Sequence, residues 1–310
     1  MTPPSIDTHL LRQVQSQIST VIKGKAPQVE DCLACLIAGG HLLIEDLPGV
    51  GKTTLAQALS VSLGLRFSRV QFTADMLPTD LLGAQVFERS TGQFHFKPGP
   101  VFAQVLLADE INRAGPKTQS ALLEAMEERQ VSLEGQTHPL PQPFFVIATQ
   151  NPTEQLGTHP LPESQLDRFL MTIRLGYPDR SAERELLVGR DSREVLAELQ
   201  AVMQAPQLLA AQVQAREVIA SPALLDYLQA LIDATRNGQW FVEGLSPRAG
   251  LAWLRVGRAK ALLAGRGHVS PDDLQATAVQ VLAHRLRPRA AAGRGAVEQV
   301  RAFIESVPLP

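Results

Sequence analysis

Short apolar runs alternate with helix-spaced apolar positions from Leu42 to Leu175, and the two periods predict strands and helices in turn. The runs Leu42–Glu45, Phe67–Phe72, Val101–Asp109, Phe144–Thr149 and Leu170–Arg174 read as strands, and the spacing of Leu55, Leu59 and Leu63 reads as a helix after the first of them. Strands separated by helices pair in parallel and are covered on both faces. After Tyr177-Pro178 the strand signals fade. Ser181–Arg190, Pro222–Arg236, Pro247–Leu263 and Pro271–Arg287 read as helices, three with Pro at or near the first turn. The pattern predicts an α/β domain over residues 1–180, a five-stranded parallel sheet flanked by helices, then a small all-α domain over residues 181–310. Two stretches break the alternation as β-hairpins: Gln85–Phe96, turning at Ser90-Thr91-Gly92, and Gln130–Leu140, turning at Glu134-Gly135.

The chemistry is concentrated where the predicted strands end. Leu42-Leu43-Ile44 runs into Glu45-Asp46-Leu47-Pro48-Gly49-Val50-Gly51-Lys52-Thr53-Thr54, a strand-to-helix turn of the kind that holds phosphates. Consecutive backbone N–H groups and a helix N-terminus make a concave anion site, and glycines let the backbone approach the oxygens closely. Pro48, Gly49, Val50, Gly51, Lys52, Thr53 and Thr54 are the expected nucleotide-binding residues, with Lys52 reaching the β- and γ-phosphates and the Thr53 hydroxyl turned to Mg²⁺. Position 46, where the P-loop signature has its first glycine, is Asp; Asp tolerates turn conformations, so the loop is still expected to close.

Val105-Leu106-Leu107-Ala108-Asp109-Glu110 reads as a buried strand that delivers two carboxylates at its C-terminal tip, where α/β sheets place ligands. Asp109 is expected to hold the Mg²⁺ shell and Glu110 to polarise an attacking water, which gives hydrolysis rather than transfer. A strand ending in solvated acids is the alternative for this segment alone. Phe144-Phe145-Val146-Ile147-Ala148-Thr149-Gln150-Asn151-Pro152 brings Asn151 to a third tip, within reach of the water or the γ-phosphate.

Asp46–Thr54, Ala108–Arg113, Ala148–Pro152 and Leu161–Phe169, in this order, resemble the MoxR family of AAA+ ATPases, over the span from about Ile18 to about Arg287. The resemblance implies a P-loop AAA+ core with a helical lid, and a homo-oligomeric, hexameric ring. It also implies Asn151 as sensor 1, Arg168 as the arginine finger offered to the neighbouring subunit's nucleotide, and Arg248, in Gly244-Leu245-Ser246-Pro247-Arg248-Ala249, as sensor 2. The hairpins then correspond to a helix-2 insert and a pre-sensor-1 insert, facing either the ring opening and a client or the subunit interface. Val21-Ile22-Lys23-Gly24 lies where related proteins bury the adenine. MoxR-like ATPases act as chaperone-like remodellers or assembly factors, commonly beside proteins with a von Willebrand factor A domain. With no appended client-binding domain, the target is expected to be reached through a separate partner.

Composition narrows this further. The chain has 310 residues, 45% of them hydrophobic, enough for a substantial core, and a net charge of −2 from 29 basic and 31 acidic residues. No overall basic field points to nucleic acid, which weighs against a DNA-translocating ring motor. A local basic stretch, Arg285, Arg287, Arg289 and Arg294, fits a helix end or a subunit surface. A nucleotide switch that does not hydrolyse is disfavoured by Glu110, Asn151 and Arg168 together. Met1–Leu10 lacks an apolar core and no run approaches the ~18 to 20 apolar residues of a membrane span, so a cytoplasmic protein is expected. Cys32 and Cys35 form a C-x-x-C without a second ligand pair, inside the helix-like stretch Val29–Ala38, and read as small buried hydrophobes.

Overall fold

A computed structural model describes residues 7–152, 157–289 and 295–309. The leading residues 1–6 and Arg294 of the basic stretch lie outside the described residues. In chain order the elements are α1 (Thr8–Val21), α2 (Ala26–Ile37), β1 (Leu42–Glu45), α3 (Lys52–Ser62), β2 (Phe67–Gln71), α4 (Pro78–Leu82), β3 (Gly83–Glu88), β4 (Gln93–Pro98) and β5 (Val105–Asp109). Then come α5 (Pro116–Glu128), β6 (Gln130–Leu133), β7 (Gln136–Pro139), β8 (Phe145–Gln150), α6 (Glu163–Leu166) and β9 (Met171–Ile173). The remainder is helical: α7 (Arg180–Val188), α8 (Ser192–Glu198), α9 (Ala205–Glu217), α10 (Pro222–Arg236), α11 (Pro247–Leu263), α12 (Pro271–Leu282) and α13 (Ala296–Ser306).

Five strands form one parallel sheet in the order β2-β5-β8-β1-β9. Successive side chains of a strand point to opposite faces, and the sheet divides its residues accordingly. Leu42, Ile44, Val105, Leu107 and Ile147 join a core with α1, α2, α3 and the later helices. Leu43, Leu106, Ala108, Val146 and Ala148 pack with α4 and α5 on the other face. The first core runs without a break into Trp253, Leu274 and Phe303, so the helical lid is packed onto the sheet's covering helices. A part-buried ion pair crosses the same contact, Lys260 of α11 with Asp31 of α2 at 3.3 Å.

Two readings change at their edges. Only Val105–Asp109 of the expected Val101–Asp109 strand pairs in the sheet; Pro100–Phe102 makes a 3₁₀ turn, because Pro100 fixes its own φ and has no N–H for a ladder. The helix expected over Pro271–Arg287 stops at Leu282. Both hairpins form: β3 pairs with β4 and β6 with β7. Glu134 (φ 50°) and Gly135 (φ 79°) both take the left-handed region that a two-residue hairpin turn demands. Phe96 of one hairpin stacks on His138 of the other at 3.9 Å, so the two inserts lean together, while Val86, Phe87 and Phe94 stay exposed. Cys32 and Cys35 are free thiols buried in α2, and burial raises both pKa values.

His41 opens β1 from within the core. Val146 N–H donates to its Nδ1 at 3.0 Å, which fixes Nε2 as the protonated nitrogen, 3.2 Å from Met126 O. A second proton would set a donor against a donor, and burial lowers the pKa from 6.5 to about 4. The unfolded chain therefore binds a proton between these values that the folded chain refuses. Stability is expected to be complete above the unfolded value and to fall as pH drops through 6.5 towards 4, by on the order of 3 kcal/mol from this side chain. His284, whose pKa desolvation also lowers, acts in the same direction. Melting curves across this range check the sign: a melting temperature that rises on acidification contradicts it.

Candidate functional site

Parallel register sets three strand tips side by side. Glu45 of β1 faces Gln150 of β8, and Ala108 of β5 faces Ala148 of β8, so β1, β5 and β8 end along one edge with β8 in the middle. The turn after β1, the acids after β5 and Asn151 after β8 all leave from that edge, the C-terminal edge where open α/β sheets bind ligands.

In the turn, Gly49 (φ 84°) and Gly51 (φ 93°) adopt conformations that disfavour a side chain. A Cβ on either would meet nothing within 4 Å, so the concavity they face is open. Gly51 is the N-cap of α3 with no side-chain cap over it, which leaves the first N–H groups of that helix for an anion. Lys52 Nζ donates to Asp46 O at 2.9 Å. The structure also explains the Asp at position 46: its buried carboxylate accepts from Leu47 N–H at 2.9 Å and from Gly176 N–H at 2.6 Å. A glycine would lack that tie between the loop and the segment leading to α7.

The acidic pair is held by groups the sequence reading did not single out. Thr149 Oγ1 donates to Asp109 Oδ1 at 2.6 Å and accepts from Glu110 N–H at 2.9 Å, locking the tip of β5 to β8. Arg69 of β2 lies 2.7 Å from Asp109 Oδ2, and Gln71 Nε2 donates to Glu110 Oε2 at 2.7 Å. Arg113 Nε also meets Glu110 Oε2 at 2.7 Å. Glu110 itself is left-handed (φ 56°, ψ 51°), an uncommon state for a non-glycine residue that turns its carboxylate out of the strand line. The visible signal for Arg69 and Gln71 was two polar residues on one face of a strand inside an otherwise apolar sheet.

The donors at this edge suit a triphosphate with a hard cation: backbone N–H groups and an ammonium for phosphate oxygens, and hydroxyl and carboxylate oxygens of Thr53 and Asp109 for Mg²⁺. Beyond the loop, Val21 and Lys23 line a cleft of about 710 Å³ with Ser181, Leu186, Val188 and Val195. Lys25 Nζ donates to Tyr177 O at 2.6 Å, so the cleft and the Gly176 anchor of the phosphate loop are joined through one short segment.

Arg168 and Arg248 lie elsewhere. Met171 of β9 pairs with Leu42 at the start of β1, and Leu170 N–H donates to His41 O at 2.8 Å. Arg168 therefore sits at the N-terminal edge of the sheet, a strand length of roughly 13 Å from the phosphate loop. Glu127, at the end of α5, holds it at 3.2 Å and holds Arg248 at 3.1 Å, and Arg248 is 3.9 Å from Asp167. The fold thus gathers Lys52, Thr53, Asp109, Glu110 and Asn151 at one edge and pairs Arg168 with Arg248 at the other.

The profile of the ATPase family associated with various cellular activities (AAA) matches residues 41–171, and that of the AAA lid domain matches residues 233–306. An uncharacterised protein of Bacillus subtilis, YeaC, is 42% identical over 98% of this chain and 96% of its own length. Chaperone MoxR1 of Mycobacterium tuberculosis is 40% identical over 90% of this chain and 76% of its own. A crystal structure of a candidate ATPase from Cytophaga hutchinsonii superposes with a TM-score of 0.88 at 34% identity, covering 98% of this chain and 96% of that one. With the strand tips, the lid and these relatives in agreement, the chain belongs to the MoxR family of AAA+ ATPases.

Proposed function

We propose that this chain binds ATP and Mg²⁺ at the shared edge of β1, β5 and β8, hydrolyses the nucleotide as one subunit of a hexameric ring, and uses the cycle to remodel a partner protein. The observation that carries the reading is the flush ending of the three strands, which brings a phosphate loop, an acidic pair and an amide-bearing tip to one place.

The backbone N–H groups of Gly49, Val50 and Gly51 cradle the β-phosphate, with Pro48 setting the entry to the turn and Thr54 in the first turn of α3. Lys52 leaves Asp46 O for the β- and γ-phosphate oxygens. Thr53 and Asp109 are the residues that would hold Mg²⁺. Mg²⁺ held there would supply positive charge to offset the negative charge that develops on the transferring phosphoryl group. Glu110 takes the proton of the attacking water, and Asn151 orients that water or the γ-phosphate. The adenine enters the cleft lined by Val21 and Lys23, whose volume of about 710 Å³ lies within the range of small-molecule sites.

Arg168 and Arg248 cannot serve their own subunit's nucleotide from the opposite edge of the sheet, so we assign both to the site of the adjacent subunit. That assignment makes the ring part of the chemistry. We divide the chain at about Arg180, with the nucleotide-binding core before it and the lid after. The leaning hairpins, with Phe87 and Phe94 exposed at one tip, are the parts we assign to client or pore contact. The partner we put forward is a protein with a von Willebrand factor A domain, and the setting the cytoplasm; among the described residues no helix is long and apolar enough to cross a membrane.

Phosphate release from ATP, followed at rising chain concentration beside sedimentation, tests this. Release is expected to need Mg²⁺ and to climb in specific activity as subunits assemble. No release from assembled chain would refute hydrolysis. A specific activity that ignores assembly would refute the shared site.

A further inference from the structure

At the N-terminal edge of the sheet, Gly40, Glu127, Arg129, Asp167, Arg168, Arg248, Arg255 and Arg285 surround a cleft of about 150 Å³. Five guanidiniums face two carboxylates there, and both carboxylates are already engaged. Glu127 holds Arg168 and Arg248, and Asp167 holds Arg285 at 2.7 Å. Arg285 is buried and also donates to Phe169 O at 2.7 Å, so its function is to fasten the lid to the core. Two guanidiniums are left over. Arg129 makes a single long bond to Gly39 O, 3.3 Å, and Arg255 has no hydrogen bond or ion pair among the described residues. Arg255 is exposed on α11, seven residues after Arg248 and so two turns along the same helix face, within electrostatic reach of Arg129 and Arg216.

Like charges that outnumber the counter-ions around a cleft repel each other unless a further anion joins them, and guanidiniums are the side chains that match phosphate geometry. The cleft is smaller than the roughly 300 to 1,000 Å³ of a site for a whole small molecule, which suits phosphate groups entering without their base. We propose that Arg255, with Arg129 beside it, forms an anion seat that grips the terminal phosphates of ATP held by the adjacent subunit, next to the contacts of Arg168 and Arg248. Arg255 is thus a further residue of the shared site, and this role rests on the ring ATPase reading above.

The test is hydrolysis by mixed rings. Arg255→Ala alone is expected to lose about ten- to a hundredfold in turnover, the weight of a charge-assisted contact, with melting temperature as in the parent and fluorescent-ATP affinity weakened in assembled rings but not in isolated subunits. Lys52→Ala alone is expected to be inactive. Rings co-assembled from the two variants contain interfaces that combine an intact phosphate loop with an intact Arg255, and these should recover turnover above either variant alone. Arg255→Lys, which keeps the charge but not the fork, should fall between. Inorganic phosphate at millimolar levels should leave the mixed-ring result unchanged, since the anion belongs to bound ATP; competition by free phosphate at those levels would assign the seat to phosphate itself and overturn the proposal. Parental turnover in Arg255→Ala, or mixed rings that stay dead while Arg168→Ala with Lys52→Ala recovers, also overturns it. A parental chain that releases no phosphate would instead sink the ATPase reading.

Discussion

Arg168→Ala is expected to lower ATP turnover by about a thousandfold or more while leaving ATP affinity and melting temperature close to those of the parent. Arg168 stands just before β9 at the edge of the sheet where β1 begins, and the phosphate loop stands where β1 ends. No rotamer of an arginine bridges a strand length and a packed sheet, so removing it cannot disturb the phosphates bound by its own chain. In an isolated subunit its charge is spent on Glu127 at 3.2 Å. In the proposed ring a second copy brings a γ-phosphate to it, where a fixed guanidinium would meet the charge that spreads over the transferring group. Steady-state phosphate release gives the loss, and equilibrium binding of a fluorescent ATP analogue gives the affinity. If turnover falls only in proportion to a weakened affinity, Arg168 is a binding residue and the finger assignment is wrong.

The sheet was legible because four of its strands are short apolar runs and β2 is bounded by Phe67 and Phe72, and every one of the five forms within a few residues of its expected limits. The hairpins were legible from their turns. Helices were read where one face is apolar and a Pro or cap marks the start, as in Pro222–Arg236 and Pro247–Leu263, whose bounds match. They were missed where those signals are weak. α9 buries Leu208, Ala211 and Ala215, but apolar residues on its other faces blur the period, and α8 is seven residues with no buried position. α1 carries a clear apolar stripe, Leu11, Val14 and Ile18, at helical spacing, a signal present in the sequence.

For the site, residues that follow one another in the chain were visible, and partners brought by the sheet were not. Lys52, Asp109 and Glu110 announce themselves by their neighbours in sequence. Arg69 and Gln71 acquire meaning only because β2 is paired with β5, which sets them beside the acidic pair. The hidden part of Arg248 was direction: a helix-start arginine in a lid says nothing of which edge of the sheet it meets until Glu127 is found holding it.

Glu110→Gln is expected to hold ATP and to lose turnover by about a hundred- to ten-thousandfold, the usual weight of a general base. Glutamine has nearly the same shape, and Arg113 and Gln71, which meet the Glu110 carboxylate at 2.7 Å, still find an oxygen there. The left-handed backbone at position 110 and the bond from its N–H to Thr149 do not depend on the side chain's charge. What is lost is the ability to accept a proton from water, so the effect should fall on the rate and spare binding. Binding of the fluorescent analogue should match the parent, and a single-turnover experiment should show intact ATP persisting on the protein. On the proposed remodelling role, the persistent ATP-loaded state is the one in which a client would be held longest, so the same variant, incubated with ATP, is the bait for recovering it. If Glu110→Gln releases phosphate at the parental rate, the proton leaves the water by another route and Glu110 only shapes the tip of β5. If ATP affinity falls along with turnover, the carboxylate supports the nucleotide directly and the division of labour between Asp109 and Glu110 has to be reversed.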